Sequence, residues 1–259
     1  KDRLVYNTPM SLKDDSFKKL RKEKKKWKVE TPEEFEERED AFLKERLLHK
    51  EPTIKTFVRI TAGKVRNFKL EIPKTTRPLT DRMKVKIFDI LREDILKKDV
   101  LDLYAGAGSF GLEALSRGAK HVTFVEASKN ADSIIKQNVE KTGFILDTEI
   151  VRSKSEDYLY KQVNSATLPT FDIIFLDPPY KLFNRKNVFK IERVLNMASL
   201  LLPGIQNIPS KEFKGAIILK HPKRYPLEKL ALEHIELLES ESFGLNTISF
   251  FIAKKNIKR

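Results

Sequence analysis

Residues 171–180 read Phe-Asp-Ile-Ile-Phe-Leu-Asp-Pro-Pro-Tyr, an apolar run that ends in a carboxylate, two prolines and a tyrosine. Two prolines directly after a buried strand cannot continue its hydrogen-bond ladder. They hold the local backbone, so the Asp177 carboxylate and the Pro178 carbonyl can face one pocket, with Pro179 completing the rigid turn. An exocyclic base amine carries two N–H donors and a lone pair delocalised into the ring. Two acceptors aimed at those hydrogens raise the electron density on nitrogen and direct it at an electrophile. Tyr180 offers a flat face on which an unstacked base can lie. Asp177, Pro178, Pro179 and Tyr180 are therefore the candidate catalytic residues.

A second constellation lies upstream. Asp102-Leu-Tyr104-Ala105-Gly106-Ala-Gly108-Ser-Phe-Gly111 follows one predicted strand and opens a predicted helix. Its glycines let the backbone turn sharply and approach a ligand. The next predicted strand runs into Glu126-Ala127, and a carboxylate at that place can accept both hydroxyl hydrogens of a ribose. The glycine loop and Glu126 alone suit the adenosine of a dinucleotide or of S-adenosylmethionine. The amine-directed turn at Asp177 favours the methyl donor.

The elements that must position these groups alternate. Strands are predicted at 100–104, 121–125, 149–152, 171–176 and 216–219, separated by helices over 110–117, 128–143, 155–163 and about 188–201. Ser128 caps the second helix and Gly143 closes it. This rhythm predicts a parallel sheet with helices on both faces. The tail changes character: 235–240 and 247–253, joined near Phe243-Gly244, predict an antiparallel pair. The fold class is thus α/β and Rossmann-like, a mostly parallel seven-stranded sheet with a terminal antiparallel β-hairpin, the pattern of class I methyltransferases. The expected core spans 99–259. Before it, 57–98 holds a short hairpin and a helix capped by Thr80, with Val85, Phe88, Leu91 and Ile95 on one face. Residues 1–56 carry 16 basic and 13 acidic residues and no glycine, and read as a charged, partly helical extension starting at Thr31-Pro-Glu-Glu.

Composition narrows the partners. The formal net charge of +14 attracts polyanions. Between Arg59 and Lys86 nine basic residues face two acidic ones, and Arg59, Lys64, Arg66, Arg82 and Lys84 are the candidate RNA contacts. The chain has no cysteine, which removes disulfides, thiolate metal sites and cysteine nucleophiles. Its four histidines lack metal-ligand spacing, so no metal is expected. No apolar run is long enough to span a bilayer, and no secretory signal is visible.

The glycine loop, Glu126 and the Asp-Pro-Pro-Tyr turn, in this order, resemble the amino-group methyltransferases of nucleic acids. Arg59-Ile-Thr-Ala-Gly63-Lys64, Arg77-Pro78-Leu-Thr80-Asp81-Arg82 and Phe243-Gly244-Leu-Asn-Thr247 narrow the resemblance to the RsmD-type small-subunit (16S) ribosomal RNA guanine-N2 methyltransferases. It covers roughly 57–253. It implies S-adenosyl-L-methionine as cofactor, with S-adenosyl-L-homocysteine as product. Asp102, Tyr104, Ala105, Gly106, Gly108, Glu126, Ala127 and Ser155 would line the cofactor site, with Arg77 and Thr80 closing over it. The implied partner is ribosomal RNA or a small-subunit particle, met by a monomer, with ribosomal or assembly proteins met through the extension. The implied compartment is a bacterial cytoplasm or a mitochondrial matrix. One departure stands out: Lys154 occupies a place where the family carries Asp or Asn beside the adenine amine. Lysine has no acceptor. An assembly factor without activity, and an N6-adenine or N4-cytosine DNA methyltransferase, are the alternative readings.

Overall fold

The computed structural model describes residues 57–73, 79–183, 187–206 and 213–254, together with Glu34 and Arg38. The chain divides into two compact units, Lys1–Thr56 and Phe57–Arg259. In the first, Glu34 and Arg38 are helical, and the rest of the helix expected there lies outside the described residues. Arg77 and Pro78 also lie outside them.

The second unit opens with a two-stranded antiparallel ribbon, β1 (Phe57–Arg59) and β2 (Lys69–Glu71), and helix α1 (Asp81–Leu91). The large sheet follows: β3 (Asp99–Leu103), α2 (Ser109–Ser116), β4 (His121–Glu126), α3 (Lys129–Thr142), β5 (Thr148–Arg152), α4 (Ser155–Val163), β6 (Ile173–Leu176), α5 (Val188–Ser199), the single turn α6 (Pro203–Gln206), β7 (Ala216–Pro222), β8 (Ile235–Phe243) and β9 (Asn246–Ala253). Seven strands pair in the order β5-β4-β3-β6-β7-β9-β8. The first five are parallel, and β9 runs antiparallel to both β7 and β8. The expected seven-stranded sheet and terminal hairpin are both present.

Both faces of the sheet are buried, which explains the continuous apolar runs in its central strands. Alternate residues divide between two cores. Val100, Phe124, Phe175 and Phe250 face one, where the rings of Phe88, Phe110 and Phe175 stack. Leu101, Leu103, Ile174 and Leu219 face the other. The helix ends follow local chemistry: the Ser128 hydroxyl accepts from Ala131 N–H, and Gly143 ends α3 in the left-handed conformation.

Helix α1 departs from the expected face. It ends at Leu91 and passes into a 3-10 turn over Arg92–Ile95. Val85 is exposed, whereas Met83, Lys84, Ile87, Phe88 and Leu91 are buried. Lys84 goes inside because Glu113 of α2 is buried opposite it, at 3.3 Å, and because it also donates to the Arg59 carbonyl. Burial pulls the Lys84 ammonium below the ordinary lysine range, and Glu113 and Asp81 oppose that shift. Glu113 further accepts from Thr61 N–H (2.8 Å), the Thr61 hydroxyl (2.6 Å), Ala62 N–H (3.1 Å) and the Arg117 guanidinium (2.9 Å). The Arg59–Lys64 segment is thereby clamped onto α2. Gly63 completes the seat: its φ is +84°, and a Cβ there would stand 1.8 Å from the Ser116 carbonyl oxygen. Lys84 was expected to touch RNA. With no exposed surface and its charge committed to Glu113, it is instead a structural cation of this clamp.

Removing one member of a buried ion pair leaves the other charged and unpaired, at a cost of roughly 3–5 kcal/mol. Glu113→Ala is expected to lower unfolding stability by about that amount, measured from denaturant midpoints. A loss under about 1 kcal/mol would contradict the clamp.

Candidate active site

The parallel strands β3, β4, β6 and β7 end at one edge of the sheet, where crossover folds bind ligands. Register sets what meets there. Asp102 lies between Phe124 of β4 and Phe175 of β6, and Leu176 pairs with Leu103 and Leu219. The next residues outward are Tyr104, Asp177 and Lys220.

Asp102 is buried and accepts from Gly111 N–H at 3.0 Å, which fixes the glycine loop to the end of its own strand. Within that loop Tyr104, Gly106 and Gly108 have φ of +58°, +59° and +72°. For tyrosine this conformation costs roughly 1–2 kcal/mol. Its hydroxyl donates to Glu156 at 3.0 Å and so holds the ring against α4. Burial raises the Tyr104 hydroxyl far above the ordinary tyrosine range, and the neighbouring Glu156 adds to this. Asn138 of α3 fastens the loop from behind, donating to the carbonyls of Ala107 (3.0 Å) and Glu71 (2.9 Å).

Glu126 accepts from Gly106 N–H through one oxygen and from Ser128 N–H through the other, both at 2.8 Å. A carboxylate has about four acceptor positions. Each oxygen therefore keeps one more, outward at the strand end, for a pair of ribose hydroxyls. Burial pushes the Asp102 carboxyl well above the ordinary range, Gly111 N–H opposes it, and the charges of Asp177 and Glu126 push the same way. Three carboxylates thus gather at one strand edge of a strongly basic chain. A cationic ligand relieves that repulsion, and S-adenosylmethionine carries both a sulfonium and an ammonium. The residues present fit this cofactor.

Asp177 leaves β6 into the two prolines, its N–H directed to the Leu103 carbonyl. Pro178 is buried, while Pro179 is exposed and Tyr180 half-buried. The Asp177 carboxylate meets a partner that sequence reasoning missed. Lys220 Nζ donates to both of its oxygens, at 2.7 and 2.8 Å, and lies 6.0 Å from the centroid of the Tyr180 ring. Burial raises the Asp177 carboxyl, and Lys220 acts in the opposite direction. The strand expected over 216–219 runs on to Pro222, and Lys220 lies in that extension. A lysine ending a run of four apolar residues was the available signal.

Among the other expected residues, Ala105 and Gly108 are buried within the loop, while Ala127 and Thr80 are exposed. Thr80 accepts from Met83 N–H as the cap of α1. Ser155 is buried at the start of α4, beside the Tyr104 hydroxyl. Lys154, the cap residue of α4, is exposed and makes no side-chain cap bond. Arg59, Lys64, Arg66 and Arg82 are exposed, and Arg82 lies over Phe243 at 5.8 Å. Among the described residues no acidic or histidine cluster suits a metal, and no helix is long and apolar enough to cross a membrane.

The strand order, the acidic strand ends around the glycine loop and the proline-bounded carboxylate define the class: a Rossmann-like, S-adenosylmethionine-dependent methyltransferase. Comparison with known proteins takes this further. The family described as Conserved hypothetical protein 95 matches residues 58–252. Ribosomal RNA small subunit methyltransferase D of Haemophilus influenzae is 39% identical over 132 residues, covering 50% of this chain and 67% of that one. Its Escherichia coli K12 namesake is 32% identical over 128 residues, covering 48% of this chain and 61% of its own length. A solved Haemophilus influenzae structure covers 76% of this chain and 99% of its own, at 31% identity and a TM-score of 0.57. A solved Thermus thermophilus structure covers 74% of this chain and 98% of its own, at 29% identity and the same TM-score of 0.57. The chain belongs to this family, that of the RsmD-type methyltransferases.

Loss of the Glu126 carboxylate should remove bonds worth roughly 1.5–3 kcal/mol each. Glu126→Ala is expected to raise the dissociation constant for S-adenosylhomocysteine by at least about 100-fold, measured by calorimetry. Unchanged affinity would remove Glu126 from the site.

Proposed function

We propose that this protein transfers a methyl group to the exocyclic N2 amine of a guanine in small-subunit ribosomal RNA. The observation that carries this reading is the Asp177 carboxylate, set by two prolines beside Tyr180 at the strand edge that holds the glycine loop. The names borne by the Haemophilus and Escherichia relatives support ribosomal RNA as the substrate class.

The bound cofactor supplies an electrophilic methyl group. The protein supplies position and charge. Asp177 and the Pro178 carbonyl accept the two amine hydrogens and aim the nitrogen lone pair. Tyr180 stacks on the flipped base. The Asp177 carboxylate also offsets the positive charge that grows on nitrogen, and it is placed to receive the proton that nitrogen then loses. Asp102 and the loop glycines hold the methionine end, Glu126 holds the ribose, and Tyr104, Ala105, Ala127 and Ser155 line the rest of the cofactor site. Ser155 takes over the polar contact that Lys154 cannot make. The family resemblance assigns Arg77 and Thr80 to the closure over the cofactor. Arg59, Lys64, Arg66 and Arg82 bind phosphates outside it.

The test is labelled S-adenosylmethionine with small-subunit particles lacking the modification, followed by nucleoside analysis. Label in N2-methylguanosine, reduced at least about 100-fold in Asp177→Ala, is the expected result. Label in another nucleoside would move the target, and no label with no cofactor binding would favour the assembly-factor reading.

A further inference from the structure

We infer that Lys220 is a positioning residue for methyl transfer, holding the Asp177 carboxylate ionised and in one orientation so that a fixed oxygen meets the guanine amine. The inference rests on the guanine reading above and deepens it.

Lys220 is 5% exposed, and its ammonium bonds both carboxylate oxygens almost symmetrically, at 2.7 and 2.8 Å. It reaches them because β6 and β7 are parallel, with Leu176 opposite Leu219, so the next residue of each strand meets its neighbour. Two bonds to one ammonium stop rotation of the carboxyl group. They occupy the inner acceptor position of each oxygen and leave the outer ones, which point apart. One oxygen of a rigid, charged Asp177 is thus held in a fixed place to accept one N–H of the guanine amine, and the Pro178 carbonyl takes the other.

Ionisation is the second half of the role. Among the described residues, the groups around Asp177 are Lys220 on β7, Asp102 on β3 with Glu126 beyond it on β4, and Tyr180 in the turn. His221 contributes nothing here, because it bonds Ser249 and the Pro222 carbonyl. Lys220 opposes the effect of burial on Asp177. Without it Asp177 takes up a proton at higher pH, and a protonated carboxyl is a weaker acceptor that no longer offsets charge on the amine. Activity carried by the ionised form falls as pH drops through the carboxyl pKa, so removing Lys220 moves that fall upward.

The experiment compares the full-length wild type with Lys220→Met, Lys220→Gln and Lys220→Arg. One readout is kcat/KM against pH on unmodified small-subunit particles at saturating cofactor. The other is the pKa of the Asp177 side-chain carbon by carbon-13 NMR, which needs no turnover. Calorimetric binding of S-adenosylhomocysteine establishes that each variant is folded. In Lys220→Met and Lys220→Gln both the acid limb and the carboxyl pKa are expected to rise by about 1–3 pH units, with cofactor affinity unchanged. Lys220→Arg should restore both. A limb and a carboxyl pKa that stay at their wild-type values in Lys220→Met and Lys220→Gln would overturn the inference. A wild type that labels a nucleoside other than N2-methylguanosine would instead overturn the guanine reading, whatever the carboxyl pKa does.

Discussion

The parallel pairing of β4, β3, β6 and β7 is the constraint on which the site depends. Strands β4, β6 and β7 each contribute a polar residue where the apolar run ends, β3 contributes Asp102 one residue before its own end, and parallel register delivers all of them to one edge. Glu126, Asp102, Asp177 and Lys220 arise far apart in the chain and meet because Val125, Leu103, Leu176 and Leu219 share that register. Burial of both faces leaves no freedom to slip, since a shift by one residue would turn every apolar side chain to the wrong core.

The polar groups gathered there are costly, and each is held by a bond that also shapes the site. Gly111 N–H secures Asp102, two backbone N–H groups secure Glu126, and Lys220 secures Asp177. Lys220 compensates Asp177, and Asp102 and Glu126 are left for a cationic ligand to balance. The cofactor preference belongs to this strand edge, and the proposed RNA contacts belong to the exposed basic residues of the amino-terminal ribbon and α1.

The clamp around Glu113 carries the ribbon. Lys84, Thr61, Ala62 and Arg117 converge on one buried carboxylate, so the Arg59–Lys64 segment has a fixed seat on α2. Its exposed cations therefore stand on a rigid base.

The strand–helix alternation, the glycine loop, Glu126 and the proline-bounded Asp177 were legible in the sequence because each rests on local chemistry: apolar periodicity, capping residues, backbone permissiveness and the missing N–H of proline. The parallel sheet with a terminal hairpin followed from that alternation. What local chemistry could not supply was the identity of partners across the fold. Lys84 read as one more surface cation, and only its approach to Glu113 made it a core residue. Lys220 read as the residue after a strand, and only strand pairing set it on Asp177. In both cases the deciding quantity is the Coulombic attraction of a buried partner. Its position depends on packing between elements distant in the chain, so the spacing of residues along it does not identify the partner.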